Sequence, residues 1–189
     1  MARPKSEEKR KLILSSALQL IAEQGLGAST ADIAKRAKLP HGSVFTYFET
    51  KADLLNALYL ELKQELAGVI LEDLPYDDKP RAQLEHLWLA WTAWGMANPS
   101  SRRALAQLSV SDQISDGSRN AAFALAAPAI GLLRSVSSTG ALTNVSENYV
   151  NAIVEALVSA TIDYMLAYPK EGNATQKAGF ELLWRAISA

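Results

Sequence analysis

The chain contains no cysteine. That absence excludes disulfides, thiolate zinc sites and Cys nucleophiles together, and it fits a reducing compartment. Histidine is nearly as scarce: His41 and His86 leave little for a His-based metal site, so neither metal nor cofactor is expected. Period-2 alternation of apolar residues, the mark of strands, is almost missing. The longest apolar runs are broken by polar residues well short of the ~18 needed to span a bilayer. No apolar core follows the opening MARPKSEEKRK, so a secretory signal is not expected and the cytoplasm is the expected location. No Ser-His-Asp set, phosphate loop or metal-ligand spacing is visible, so an enzyme is not expected. Net charge is lacking too: 19 Lys+Arg against 20 Asp+Glu leave -1.

What is present points elsewhere. The 189 residues suffice for one or two domains with a sizeable core. At 49% hydrophobic and 21% charged, the composition is that of a globular protein. The charge is unevenly placed. Residues 1–51 hold nine basic and five acidic side chains, a net +4, and residues 52–189 hold ten and fifteen, a net -5. A basic end on an acidic body suits contact with an anionic polymer. A solubilising face is the other reading of the same charges.

Apolar spacing of i, i+3, i+4 recurs almost throughout and predicts an all-α protein. A first helix is expected over residues 6–23, opened by Ser6 with Glu7 and Glu8 behind it and stopped by Gly25. Its apolar stripe is Leu12, Ile13, Ala17, Leu20 and Ile21. Short helices are expected over 31–37, capped by Ser29 or Thr30, and over 41–47, with Lys38-Leu39-Pro40 as the turn between them. Thr50 caps a long helix over 51–71, striped by Leu54, Leu55, Leu58, Leu62, Leu66 and Val69. Further helices are expected over 80–97, 101–109, 119–137 with a kink or break at Pro128, 146–168 and 175–187. Thr139-Gly140 ends the 119–137 helix, and Gly172-Asn173 reads as a turn.

Two short helices joined by a tight turn, after a longer helix, describe a helix-turn-helix. Ile33, Ala34, Ala37, Leu39, Val44 and Phe48 form the apolar cluster that fixes their angle. His41, Ser43 and Thr46 make a short polar face that can enter the ~12 Å major groove, with Gly42 allowing close backbone approach. Tyr47 and Lys51 are placed for the phosphate backbone, as are Ser29 and Thr30. Arg3, Lys5, Lys9 and Arg10 form either a mobile arm that reaches the DNA or an ordinary solvated tail.

The segment TADIAKRAKLPHGSVFTYFETKADLL, residues 30–55, resembles the DNA-binding region of the TetR family of transcriptional regulators. Thr30, Ile33, Ala34, Ala37, Gly42, Tyr47, Phe48, Lys51 and Leu54 carry the likeness, and the upstream IAEQG fits it. Three positions depart from the family. Lys38 stands where Gly is usual, so either the backbone there suits a side chain or Lys38 adds a phosphate contact. Pro40 stands where Ser or Thr usually caps the helix, and Phe45 where Tyr usually offers a hydroxyl.

The resemblance implies a homodimer with a ligand pocket in each body, the ligand changing the spacing of two DNA-reading heads. It divides the chain into a helix-turn-helix domain, residues 1–50, and a ligand-binding and dimerisation domain, residues 51–189. The partners expected are a double-stranded, near-palindromic DNA operator, a small apolar or weakly polar effector and a second copy of the chain, with no membrane. The function expected is a regulator, a repressor released by its effector. The other function considered is a helical ligand-binding or protein-interaction module without sequence-specific DNA binding. For the pocket, Trp88, Trp91 and Trp94 put a heavy aromatic load on one helix, and Phe123, Tyr149 and Met165 are candidates to join them. Core packing is the plainer use of those tryptophans. For the dimer face, small and apolar residues of the last two helices are the candidates: Ala156, Ala160 and Asp163 with Leu182, Leu183 and Ala186.

Overall fold

The computed structural model describes residues 6–138 and 142–188, and among them there are helices and turns but no strand. The ten α-helices are α1 (Glu7–Gln24), α2 (Thr30–Arg36), α3 (Ser43–Tyr47), α4 (Lys51–Leu71), α5 (Pro80–Ala97), α6 (Pro99–Ser109), α7 (Asp116–Leu125), α8 (Ala127–Ser137), α9 (Glu147–Ala167) and α10 (Gly172–Ile187). A 3-10 turn, Pro169–Glu171, precedes α10.

The boundaries follow local chemistry. The Ser6 side chain accepts from the Lys9 amide to open α1, and Gly25, at φ 84, closes it with its N–H on the Ile21 carbonyl. Thr50 and Asp53 cap α4 reciprocally. The Thr50 N–H donates to Asp53 Oδ2 at 2.9 Å, and the Asp53 N–H donates to Thr50 Oγ1 at 3.1 Å. Pro99 occupies the first turn of α6, where a missing N–H costs nothing, so that helix starts before the expected residue 101. The helix expected over 119–137 starts at Asp116 and is broken at Ala126, because Pro128 belongs to the opening turn of α8. Gly172 begins α10 instead of making the expected turn. The expected Thr139-Gly140 stop lies outside the described residues.

The chain divides into two compact units, Met1–Glu65 with Asn98–Phe123, and Leu66–Ala97 with Ala124–Ala189. In the first, α1 packs against α2 and α6, and α2 against α3. Ile13, Leu14, Ala17, Leu20 and Ile21 are buried in α1, whereas Leu12, expected on the stripe, is 48% exposed. The 100° step per residue carries position 12 off the face that holds 13, 17 and 20. Polar ties supplement the core. Gln107 Nε2 donates to the Ile21 carbonyl, and Asn56 donates to the Gln113 carbonyl while accepting from the Ser115 N–H.

In the second unit α9 packs against α5 and α10. Trp88 is 2% exposed, and its indole N–H donates to the Gln176 carbonyl at 3.0 Å. Gln176 Nε2 donates to Thr92 Oγ1, and the Thr92 hydroxyl donates back to the Trp88 carbonyl. Gly179 explains how α10 comes so close: a Cβ there would stand 2.7 Å from both Trp88 Cζ2 and Thr161 Oγ1. Helix α9 is long and apolar enough in composition to cross a membrane, which the sequence reading did not anticipate. Its buried stripe of Val150, Val154, Val158 and Ile162 instead packs inside this unit.

Candidate nucleic-acid interface

The geometry begins with the turn between α2 and α3. The Leu39 N–H bonds the Ala34 carbonyl at 3.0 Å, and the Lys38 N–H bonds the Lys35 carbonyl at 3.1 Å. This is a Schellman closure, which requires a left-handed residue after the C-cap, and Lys38 supplies it at φ 55. A side chain there costs roughly 1–2 kcal/mol relative to a right-handed backbone. Lys38→Gly is therefore expected to raise stability by about 1 kcal/mol, read from urea unfolding. If the exposed Lys38 ammonium also meets a phosphate, the same variant lowers the salt slope of DNA binding by about 1. An unchanged or lowered stability would contradict the strained turn.

From that turn the chain enters α3 through a tight bend. The Ser43 N–H donates to the Pro40 carbonyl at 2.8 Å, so the helix begins at Ser43 and not at the expected His41. Val44 and Phe48 are buried, as are Ile33 and Ala34 of α2 and its C-cap Ala37, and α2 packs against α3. The opposite face is left outward. His41, Gly42 and Thr46 are exposed and Ser43 is half-buried. Phe45, which sequence reasoning treated only as a lost hydroxyl, is 46% exposed. Its ring stands 5.9 Å from that of His41, edge to face. The signal for it was available: one residue beyond buried Val44 is a 100° turn toward the outside.

The candidate phosphate contacts have partners within the fold. The Tyr47 hydroxyl oxygen accepts the Ser6 N–H at 3.2 Å, which ties the start of α1 to the end of α3 and leaves the hydroxyl hydrogen to donate. Lys51 Nζ donates to the Leu26 carbonyl at 2.6 Å, with two further hydrogens on the ammonium. The Ser29 oxygen accepts from the Asp32 N–H and its hydroxyl donates to the Asp32 carboxylate, so Ser29 acts as the N-cap of α2. Thr30 is half-buried and Pro40 exposed. Arg10 is a residue of α1, stacked 5.6 Å above the Phe48 ring and paired with Glu7 and Glu61, and so is no part of an arm. Lys9 is exposed on the same helix; Arg3 and Lys5 lie outside the described residues. Arg36 forms a two-pronged pair with Glu23 at 2.8 and 2.9 Å, binding α2 to α1. Hydrogen bonding from that guanidinium holds the Glu23 carboxyl below the usual carboxylate range.

The pocket candidates do not come together. Trp88 and Trp91 line a cleft with Ile70, Leu84 and Leu133, but it holds only about 30 Å³. Trp88 has also engaged its N–H, so it offers a ligand no donor. Trp94 is buried away from that lining, and Met165 is buried on α9 near Gly172. Tyr149 points outward, and Phe123 is exposed in the other unit. Of the dimer candidates, Ala156, Ala160, Asp163 and Leu182 are exposed and Ala186 is half-buried. Leu183 is corrected to core: with Phe180 and Ile187 it forms the inward stripe of α10, and it lines the tryptophan cleft. Among the described residues no His/Asp/Glu cluster could hold a metal ion.

Residues 13–58 match the model for bacterial regulatory proteins of the tetR family. An HTH-type transcriptional repressor of Mycobacterium tuberculosis is 40% identical over 81 residues, 42% of this chain and 43% of that protein. The chain thus spans less than half the length of this curated relative. A tetR family transcription regulator from Shewanella sp. PV-4 is similar in structure, with TM-score 0.85 and 29% identity over 96% of this chain and 98% of that one. One from Marinobacter aquaeolei shares the fold at TM-score 0.83 and 19% identity, covering 96% of each chain.

Proposed function

Because this chain is a member of the TetR family, we propose that it is a transcriptional repressor that binds DNA as a homodimer and is released by a small molecule. Residues 1–50 read the DNA, and residues 51–189 dimerise and take the effector. The observation that carries this reading is the outward face of α3, where His41, Phe45 and Thr46 stand on buried Val44 and Phe48. That face suits the major groove, and two copies place two such helices in successive grooves of a near-palindromic operator. Tyr47, Lys51, Lys38 and the α2 start hold the backbone; His41, Ser43 and Thr46 read bases. Such a protein works in the cytoplasm, where bacterial DNA is. Effector and operator affinities are then reciprocally coupled.

Phe45 has no hydroxyl for a phosphate, and an exposed apolar ring on this face suits the C5-methyl of thymine. The test is selection of binding sites from random duplex DNA, followed by gel shift. Sequence-specific binding is expected, with Tyr47→Ala weakening all sequences alike. Replacing one thymine per half-site by deoxyuridine should cost the wild type roughly 1 kcal/mol and Phe45→Ala nothing further. Failure to enrich any sequence at moderate salt would sink the regulatory reading. Equal deoxyuridine sensitivity in Phe45→Ala would sink the role of Phe45 alone.

A further inference from the structure

Described residues of the second unit line a small cleft and a much larger pocket. The cleft beside Trp88 and Trp91, at about 30 Å³, has room for a water molecule or two. The other lies between α8 and the start of α9 and holds about 280 Å³, near the lower end of small-molecule sites. Its apolar walls are Ile130, Leu133, Leu142, Val145 and Val150.

The polar groups of this larger pocket are almost all satisfied. Arg134 and Glu147 form a two-pronged ion pair across its rim, so their charges compensate. The hydroxyls of Ser137, Ser138 and Thr143 donate to main-chain carbonyls of the same wall. Asn151 is the exception. Its amide Nδ2 is cut off from solvent and has no acceptor among the described residues. A buried donor without an acceptor is unfavourable, and the terminal torsion of Asn is soft enough to turn its NH₂ toward an incoming oxygen.

We propose that this α8–α9 pocket, and not the tryptophan cleft, is the effector site, and that its occupant is a small uncharged molecule with an apolar body and one carbonyl oxygen. The oxygen accepts from the Asn151 amide while the body lies on the leucine and valine walls. A neutral occupant is favoured over an anion because Arg134, the cation at the rim, is already paired with Glu147. Leu133 is a wall of both cavities, so an occupant pressing on it alters the packing around Trp88 and Trp91. The proposal rests on the regulatory reading for the word effector, but the pocket can be tested without DNA.

The experiment titrates the full chain with benzamide, toluene and sodium benzoate, followed by NMR of side-chain amides and methyls. Benzamide should bind with a Kd of about 1 mM, roughly tenfold tighter than either of the others. It should shift the Asn151 NH₂ and the Val145 and Val150 methyls. Asn151→Leu should keep toluene affinity within about twofold, which shows that the pocket still forms, and lose the roughly tenfold preference for benzamide. Three results would overturn the proposal: no saturation by benzamide below about 10 mM, contacts at Trp91 without contacts at Val145 and Val150, or an undiminished preference in Asn151→Leu. Loss of operator binding in the gel shift, with this titration intact, would instead remove the regulatory reading and leave the pocket standing.

Discussion

Trp88→Ala is expected to lower the stability of the protein by about 3–5 kcal/mol. The indole is 2% exposed, the largest of the fully buried side chains, and α9 and α10 pack against the helix that carries it. Its removal leaves a cavity that only a shift of whole helices could fill, because Gly179, which faces the ring, has no side chain to swing into the space. It also deprives the Gln176 carbonyl of its donor and loosens the Gln176–Thr92 link. In a chain of this length each kcal/mol moves the melting temperature by roughly 2–4 °C, so a fall on the order of 10 °C is expected by circular dichroism. Trp88→Phe keeps most of the apolar volume and orphans the carbonyl, which places it between the two. A loss below about 1 kcal/mol for Trp88→Ala would mean that this helix packs differently from the structure described.

In the proposed homodimer, Ala156→Arg should separate the two copies while leaving the folded chain intact. Helix α9 is among the most apolar segments, yet only 33% of its most apolar stretch is buried within one chain. Ala152, Ala156 and Ala160 repeat every four residues on its exposed side, and Leu182 of α10 is 57% exposed. Apolar surface of this extent on two neighbouring helices suits a second copy, whose small residues allow close approach. An arginine at 156 is bulky and would be buried without a partner, so the dimer dissociation constant should rise at least ~100-fold by sedimentation equilibrium. Melting of the chain itself should shift little, since Ala156 is outward. Operator affinity should fall with the dimer, because one head alone holds only one half-site. A variant that stays dimeric, or a wild type that is monomeric at micromolar concentration, would refute this face.

The legible parts of the sequence were those set by neighbours along the chain. Ser6, Thr50 and Ser146 mark helix starts because their side chains bond amides three residues on. Gly25 marks a stop because its backbone is left-handed. The helix-turn-helix was readable for the same reason: the spacing of Ile33, Ala34, Ala37, Val44 and Phe48 is short-range, and all five are buried. At Lys38 the sequence left open a backbone that suits a side chain or a phosphate contact; the backbone is instead left-handed, at φ 55, and the Schellman bonds that impose it needed coordinates.

The misreadings share one cause. Leu12, Leu183 and Tyr149 all lie on helices that are apolar on more than one face, and periodicity cannot choose between an inward stripe and a covered outer one. The tryptophans illustrate it further: sequence places Trp88, Trp91 and Trp94 on one helix, but which indole is enclosed depends on where α9 and α10 arrive. From the sequence alone come the all-helical class, the reading head with its capped joints and the separation of a basic end from an acidic body, because caps, turns and charge act over a few residues. Only the tertiary structure decided that Trp88 is core, that the roomier pocket lies at Asn151 and that α9 keeps an apolar side uncovered. Those facts depend on contacts between residues dozens of positions apart, whose distances no local pattern encodes.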